Sequence, residues 1–300
     1  MKNKFHESIC AEGMLKSMNI NFIEEICNEE NILHESLCQG YVQRLTKDGV
    51  TRHIFGAYYD LNSAASDRLA CDKTACAALL QKNGVPVIPH EILLNPLRRE
   101  GWAGEKGTWQ TAVELFKKFG ERVVLKPNQG TMGADVFLCE SVTALETAAQ
   151  AIFANYPDAA ISPFREITTE YRVFFLNGNC SLVYGKTKGS SFQHNLSMGA
   201  TAFEVSDKKR LEKLKTLALQ AAETIGINFA TIDIAESPAD DAPLAILPPS
   251  QTNDLIGGVI SVMEINSGVQ ARQLLEQLPH LRPKVKEIYA EAIRLSFHRA

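Results

Sequence analysis

The feature that most constrains this chain is a set of oxygen-bearing side chains inside two strongly apolar segments of its C-terminal half. Asp233 lies within the run Phe229–Ala235, and Glu264 and Asn266 belong to the run that starts at Val259. Glu264 and Asn266 are two residues apart, so on a strand they leave the same face. A buried carboxylate without a partner is costly or becomes protonated, and a divalent cation removes that conflict. Oxygen ligands of this kind suit magnesium; the alternative is that these groups simply lie at strand ends.

A lysine followed by a glycine-containing loop is the second feature. Lys126 ends the apolar run that starts at Val123, and Pro127 holds the residue before it in an extended conformation. In the next loop, Gly130 and Gly133 let backbone N–H groups approach a phosphate without a Cβ in the way. This is not a Walker A loop, because no Lys-Ser or Lys-Thr follows the last glycine and a strand is predicted next. Taken alone, a plain hairpin loop with a stray lysine explains the segment equally well.

Further basic residues fall near these two features. They are Lys73 at the start of a predicted helix, Arg172 in a predicted strand, and Lys186 and Lys188 after the next strand. A single lysine is usually a solvated surface charge. The placement of these residues relative to the other motifs is what favours a site for an anion.

Charge and composition narrow the classes of partner. The chain has 300 residues, a net charge of -4 and a pI near 6.0, whereas nucleic-acid binding normally needs a basic face. We therefore expect no nucleic-acid partner. We expect no membrane partner either, since no stretch approaches the ~18 apolar residues of a span and no signal-peptide run opens the chain. The seven cysteines are scattered without a CxxC pair, which favours small buried hydrophobes in a reducing cytoplasm.

The hydrophobic pattern predicts a mixed α/β or α+β fold, because strands and helices alternate with several hairpins among them. The helices predicted in the first half are residues 8–39, a helix from about Ser66 or Asp67 to Lys82, Thr111–Phe119, and a helix capped by Ser141 that ends at Phe153. The strands predicted there are 41–45 and 51–55, which form a hairpin around Asp48-Gly49, then 122–127 and 134–139. Residues 85–89 are predicted to be extended and residues 95–109 to form a loop.

The second half continues this alternation. Its predicted strands are 171–176, 180–184, 229–235 and 259–265, and its predicted helices are Lys208–Ile225 and Pro283–Phe297. Residues 237–254 contain four prolines together with Asp240 and Asp241, a composition that predicts an exposed insertion.

The ordered set of motifs resembles the ATP-grasp superfamily. The order is Asp-Lys before a helix, then Gly-Val-Pro-Val-Ile-Pro, Leu-Lys-Pro with a glycine loop, a hinge, Glu-Tyr-Arg, a basic segment, an Asp strand and Glu-x-Asn. The resemblance covers about residues 66–278. It is strongest to the carboxylate–amine ligase branch, which contains D-alanine–D-alanine ligase, glutathione synthetase, cyanophycin synthetase and the ribosomal-protein glutamate ligases.

The resemblance implies an ATP-grasp fold, in which two α+β lobes grip ATP between them. Residues 1–65 would form a short N-terminal segment with a helix and a hairpin, and residues 66–300 the ATP-grasp domain. Within that domain, the small lobe would span about residues 85–163 and the large lobe about residues 164–300.

The resemblance also implies roles for individual residues. The predicted phosphate contacts and closing loop are Lys73, Lys126, Gln129, Gly130, Thr131, Met132 and Gly133. The predicted hinge beside adenine is Ser162, Pro163, Phe164 and Arg165, and the ribose is assigned to Glu170, with Glu166 the weaker candidate. Two magnesium ions, for which manganese can substitute, are assigned to Asp233, Glu264 and Asn266. The predicted catalytic residues are Lys186, which also contacts a phosphate, Arg172, Asn195 and Arg272.

Two departures from the family's pattern bear on the substrates. D-alanine–D-alanine ligase has a transition-state arginine two residues before the magnesium aspartate, where this chain has Thr231. Arg272, shortly after Asn266, is the candidate to supply that positive charge. The N-terminal segment, which in the family often helps to bind the carboxylate substrate, is reduced. The identities of the acid and of the amine are therefore left open.

The reaction that the resemblance implies is amide formation. A carboxylate attacks the γ-phosphate of ATP to give an acyl phosphate and ADP, and an amine then displaces phosphate. Small molecules or peptides would supply both substrates, and Arg98 and Arg99 are compatible with an acidic one. Homodimers are common among the relatives. The alternatives are a nucleotide-binding partner protein without catalysis and an ATP-grasp kinase that stops at phosphoryl transfer. His194 is a candidate general base, although a lone loop histidine is more often a surface residue.

Overall fold

The computed structural model describes residues 18–98, 107–130, 133–189, 196–238 and 258–298. Its first elements are helix α1 (Met18–Glu29) and the strands β1 (Leu33–Leu37), β2 (Val42–Lys47) and β3 (Val50–Phe55), which form an antiparallel sheet in that order. The predicted hairpin around Asp48-Gly49 is confirmed: both residues have positive φ, and Lys47 pairs with Val50.

The prediction of one helix over residues 8–39 is wrong beyond residue 29. Asn31 adopts a left-handed conformation with φ of 56°, which ends the helix, and Leu33–Leu37 pairs with β2 as an edge strand. Leu33 fits a helical period, yet its side chain is exposed on the sheet. Residues 8–17 lie outside the described part of the chain.

Two helices follow where the hydrophobic pattern predicts one helix ending at Lys82, and the second begins at Lys73, as the Asp72-Lys73 motif predicts. They are α2 (Ala64–Cys71), capped by Ser63, and α3 (Lys73–Lys82). Asp72 separates them because its backbone is extended and its carboxylate accepts a hydrogen bond from the N–H of Ala75 at 2.9 Å.

The small lobe is a four-stranded antiparallel sheet with two helices on one face. Its elements are β4 (Glu91–Leu94), α4 (Thr108–Lys118), β5 (Val123–Pro127), β6 (Phe137–Cys139), α5 (Val142–Phe153) and β7 (Asp158–Pro163), and the strand order is β4-β7-β5-β6. Phe116, Leu125, Leu145 and Ile161 form its core. The predictions at 122–127 and 141–153 are confirmed. The strand at 134–139 is shorter than predicted, helix α4 begins three residues earlier, and β4 and β7 were not predicted.

The large lobe is a five-stranded antiparallel sheet with helices on both faces. Its elements are β8 (Thr169–Leu176), β9 (Asn179–Thr187), β10 (Thr201–Glu204), α6 (Lys208–Ile225), β11 (Phe229–Ser237), β12 (Val259–Asn266), α7 (Arg272–Gln277) and α8 (Arg282–His298), and the strand order is β10-β9-β8-β11-β12. The predictions for β8, β9, β11, β12, α6 and α8 are confirmed to within a few residues. Strand β10 was not predicted, and most of the predicted insertion at 237–254 lies outside the described residues.

The N-terminal segment covers one face of the large sheet. Phe22 and Tyr59 are buried against Tyr289 of α8, and Tyr59 also meets the ring of Phe229 edge-on. On the opposite face, α2, α3 and α6 share a second core with β8, β11 and β12. Both faces of this sheet are therefore sealed, and this accounts for the nearly continuous apolar character of β11.

The chain passes between the lobes just before β4. Ile88 donates its N–H to Val262 O at 2.9 Å, and Val262 donates to Pro86 O at 2.8 Å. The predicted extended segment at 85–89 thus lies along β12 before the chain enters the small lobe. No helix in the described residues has both the length and the apolar character needed to cross a membrane.

Candidate functional site

Strands β8, β11 and β12 bring the three predicted metal ligands together. Asp233 lies in register between Arg172 of β8 and Glu264 of β12. The side-chain amide of Asn266 donates to Asp233 Oδ2 at 3.1 Å and to Glu264 Oε1 at 3.2 Å. Both carboxylates therefore point at one position, as the alternation of side chains along the two strands predicts.

Arg172 neutralises Asp233 in a bidentate pair. Its Nε and Nη2 each lie 2.6 Å from one oxygen of the Asp233 carboxylate. Burial by itself would raise the pKa of Asp233, but Arg172 and Lys186 outweigh that effect and hold it at about 2. The carboxylate is consequently ionised although it is completely buried.

Lys186 and Glu170 complete this buried charge cluster. The Lys186 ammonium donates to Glu170 Oε1 and lies 3.5 Å from Asp233 Oδ1. Burial raises the pKa of Glu170 to about 7, and the charge of Asp233 adds to that rise while Lys186 opposes it. Burial would lower the pKa of Lys186, yet Asp233 and Glu170 leave it raised overall. Glu170, assigned by resemblance to the ribose, is here bound to a lysine, and Glu166 pairs with Lys188 at 3.6 Å on the surface.

The two predicted phosphate lysines lie on either side of the seam between the lobes. Lys73 Nζ donates to Gly130 O at 2.7 Å and lies 3.9 Å from Glu264 Oε2, so it links the glycine loop to β12. Burial lowers the pKa of Lys126 to about 8; Glu264 opposes this shift and Lys73 adds to it. Gln129 and Gly133 are described beside Gly130, whereas Thr131 and Met132 lie outside the described residues.

The predicted hinge is fixed to the small-lobe sheet. Ser162 is buried at the end of β7, and Phe164 donates its N–H to Arg122 O at 2.9 Å. The guanidinium of Arg122 stacks on the Phe164 ring at 4.0 Å from its centroid. This backbone N–H is therefore already bonded, and a base at the hinge has to be held by other groups of Ser162–Arg165.

One predicted catalytic residue, Arg272, is not brought into the cluster. Arg272 begins α7, where its Nε donates to Glu276 at 3.0 Å on the exposed surface. Within the described residues, no hydrogen bond or ion pair joins Arg272 to Asp233. Arg172 supplies the positive charge beside Asp233 instead. Asn195 lies outside the described residues, as does His194.

Two buried polar residues near the site were not predicted. Asn128 accepts a hydrogen bond from the N–H of Thr74 at 3.1 Å and so ties the start of α3 to the end of β5. His90 is buried at the start of β4, and its Nδ1 lies 2.8 Å from Ile88 O. Both residues directly follow a proline, Pro89 and Pro127, and this was the available signal in the sequence.

The donor set fits a hard divalent cation. Two carboxylates and one amide converge, and the amide can present its oxygen after rotation about its last bond. In the described part of the chain, no three His, Cys, Asp or Glu residues form a metal-binding group. The protein ligands would thus be Asp233, Glu264 and Asn266, with the remaining positions left to oxygens of another molecule.

The chain matches the protein family described as "RimK-like ATP-grasp domain" over residues 70–246, which is more than half of its length. It is 26% identical over 225 residues to a probable alpha-L-glutamate ligase of Pseudomonas savastanoi pv. phaseolicola, covering 70% of this chain and 68% of the relative. It is 25% identical over 135 residues to the alpha-aminoadipate–LysW ligase LysX of Saccharolobus solfataricus, covering 42% and 46%. Among solved structures, it resembles D-alanine–D-alanine ligase from Bacillus anthracis with a TM-score of 0.57 at 13% identity, covering 81% and 74%. That likeness confirms the ATP-grasp fold.

Proposed function

This chain belongs to the family of RimK-like ATP-grasp domains, and on that premise we propose that it joins a carboxylate to an amine with ATP through an acyl phosphate. The ligases among its relatives support an ATP-dependent acid–amino-acid ligase. The observation that carries the proposal is the convergence of Asp233, Glu264 and Asn266 on one position, with Lys73 joining Glu264 to the glycine loop.

The proposed reaction has two balanced steps. A carboxylate oxygen of the acid attacks the γ-phosphorus, and the bond to the bridging oxygen breaks, so ADP leaves with the electron pair. The amine nitrogen then attacks the acyl carbon, phosphate leaves, and the amine loses a proton. Lys73 and Lys126 hold the polyphosphate in place, and Arg172 and Lys186 offset the negative charge of the transferring group. The protein therefore acts mainly through positioning and charge neutralisation.

Magnesium, when bound, neutralises phosphate oxygens during both steps. Asp233, Glu264 and Asn266 would hold it; two ions, replaceable by manganese, remain our prediction. The bidentate grip of Arg172 on Asp233 supports a further assignment: Arg172, rather than Arg272, takes the part that an arginine at position 231 would otherwise play.

The names of the relatives support a class of substrate. Those relatives are named for glutamate and alpha-aminoadipate, which are acidic amino acids. We propose an amino acid or peptide carboxylate as the acid and an amino acid or peptide amine as its partner. A homodimer, the lack of a nucleic-acid or membrane partner, and a cytoplasmic location remain predictions.

The proposal is tested by screening pairs of amino acids and short peptides for ADP release, with mass spectrometry of the products. A ligase gives phosphate and an amide. A stable phosphorylated product would instead indicate a kinase, and binding of ATP without ADP release under any pair would indicate a nucleotide-binding protein.

The site assignment is tested by Glu264→Gln, with Glu146→Gln on the exposed face of α5 as the matched control. We expect Glu264→Gln to lower magnesium-dependent ATP turnover by about 100-fold or more, since it removes a charged ligand. The fold should be retained, and Glu146→Gln should turn over like the wild type. Undiminished turnover in Glu264→Gln would refute the metal assignment.

A further inference from the structure

His90 lies where the chain enters the small lobe. Ile88 is still hydrogen-bonded to Val262 of β12, and β4 begins at Glu91, so His90 occupies the seam between the two sheets. The residue is 6% exposed. A histidine that is almost fully buried between two sheets has two ring nitrogens to satisfy there.

The two nitrogens of His90 differ in their partners. Nδ1 lies 2.8 Å from Ile88 O, and because a carbonyl oxygen only accepts, Nδ1 carries the proton. Burial lowers the pKa of His90 well below its usual range, and the nearby Lys126 and Lys73 lower it further, so the ring is neutral. Nε2 is then a pure acceptor. It has no hydrogen-bond partner anywhere in the described residues.

The sheet register fixes the face on which His90 lies. Ile92, Ala160 and Lys126 form one row across β4, β7 and β5, on the face opposite the Leu93–Leu125 core. Strand β7 pairs Ser162 with Val124 of β5, and the pairing of β4 with β7, continued by one residue before Glu91, places His90 opposite Ser162. His90, Ser162 and Val124 thus form a second row. His90 therefore shares the face of Lys126 but lies one row closer to the hinge that begins at Ser162.

On this face, the position proposed for the phosphates and the position proposed for the base are therefore one row apart. Lys126 marks the phosphate end of the face, and the row of His90 and Ser162 marks the end toward the hinge, where a base would lie. Ala160 and Ser162, which lie between these two ends, are small and buried. A buried acceptor in this row, with no donor of its own, is suited to a donor on the edge of a base.

We propose that His90 is a base-selecting residue whose Nε2 accepts a hydrogen bond from the exocyclic amino group of adenine. This inference rests on the proposed use of ATP. Guanine carries a carbonyl oxygen at the corresponding ring position, which would oppose two acceptors and leave both unsatisfied in a buried site. His90 would thus contribute to the preference for ATP over GTP without touching the reacting phosphates.

The experiment compares ATP with purine riboside 5′-triphosphate, which lacks only the amino group, by titration calorimetry in the presence of magnesium. The variants are His90→Leu, which removes the acceptor, and His90→Gln, which retains one. His53→Leu, at an exposed histidine of β3, is the matched control. We expect the wild type and His53→Leu to bind ATP about tenfold more tightly than the analogue. His90→Leu should bind both equally, and His90→Gln should keep part of the preference.

Each outcome bears on the inference. An unchanged ATP-to-analogue ratio in folded His90→Leu overturns it and leaves the proposed function standing. If His90→Leu does not fold, the affinities of the wild type and of His90→Gln for ATP and for the analogue test the inference instead. Equal binding of ATP and the analogue by the wild type would overturn the role of His90. A wild type that binds neither nucleotide overturns the proposed function itself.

Discussion

Lys126 shows how a single half-buried charge acquires a property that the sequence alone does not reveal. The resemblance to the ATP-grasp family implied a phosphate contact for Lys126 at the end of its apolar strand. The shift of its pKa from the usual 10.5 to about 8 comes from burial and from Lys73, a neighbour 53 positions away in the chain. In the same way, Asp233, Glu264 and Asn266 were predicted as a set from strand alternation, whereas the pairing of Arg172 with Asp233 depends on the register of β8 against β11.

The shifted pKa of Lys126 predicts proton uptake on ATP binding. Near pH 8 the unliganded lysine is about half protonated. A polyphosphate beside it favours the charged form and raises the pKa, so binding should take up roughly half a proton and weaken as the pH rises above 8. Calorimetry in buffers of different ionisation enthalpy measures this uptake.

The matched variants for this prediction are Lys126→Arg and Lys118→Arg. Arginine stays charged throughout this range, so Lys126→Arg should abolish the uptake, while Lys118→Arg, on the exposed surface, should keep it. Proton release on ATP binding, or uptake that persists in Lys126→Arg, would contradict the assignment.

Among the elements, those with strong local signals were predicted and those defined by tertiary contacts were not. Helix α6 has the predicted bounds because Asp207 caps its start and Gly226 takes a left-handed conformation at its end. Strand β7 is the contrasting case: its residues include two alanines and a terminal proline, which carry little strand propensity, and burial between β4 and β5 makes it a strand. The hydrophobic pattern runs through Asp72 because the residues on both sides of it favour helix, and only the Asp72-Lys73 motif predicted the start of a helix there.

Strands β9 and β10 meet at a close approach that requires glycine. Phe203 of β10 lies across Gly185 of β9, and a Cβ at Gly185 would come within 2.1 Å of the Phe203 ring. Gly185→Ala should therefore destabilise the protein by about 1–3 kcal/mol, and by much less in a Phe203→Leu background, where the side chain is smaller and can move. Urea denaturation of the two single variants and the double variant measures this coupling.

Because Lys186 directly follows Gly185, the same variant should also change the site. We expect Gly185→Ala to lower ATP turnover through displacement of Lys186, and the Phe203→Leu background to restore part of it. Equal destabilisation by Gly185→Ala in both backgrounds would show that the Phe203 ring is not the obstacle.

For the whole molecule, the N-terminal segment is part of the large lobe's core. Residues from α1, β2, β3 and Tyr59 are buried in one cluster with β8, β9, β11 and α8, while the small lobe has a core of its own from residues 93–161. The sequence indicated two α+β lobes through the order of its motifs. The sequence did not indicate that residues 18–61 pack on the large sheet, because hydrophobic periodicity reports local structure and not contacts between distant segments.

Phe22 is the residue at which this packing is tested. Its ring is fully buried, 5.7 Å from the Tyr289 ring and under the guanidinium of Arg282. Phe22→Ala should lower the free energy of unfolding by about 3–5 kcal/mol, as for other buried aromatic residues. Phe55→Ala, at an exposed ring of β3, is the matched control and should stay within about 1 kcal/mol. A loss below ~1 kcal/mol for Phe22→Ala would mean that the segment is only loosely attached.

The bidentate pair between Arg172 and Asp233 has a consequence for the order in which the metal and the nucleotide bind. A carboxylate already held by a guanidinium does not repel its neighbours, so the sheet reaches its final form without help from an ion. A free metal ion would have to compete with that guanidinium and would gain little on its own. We therefore expect the metal to bind together with the triphosphate. The negative charge of the triphosphate can pair with the Arg172 guanidinium when Arg172 releases Asp233.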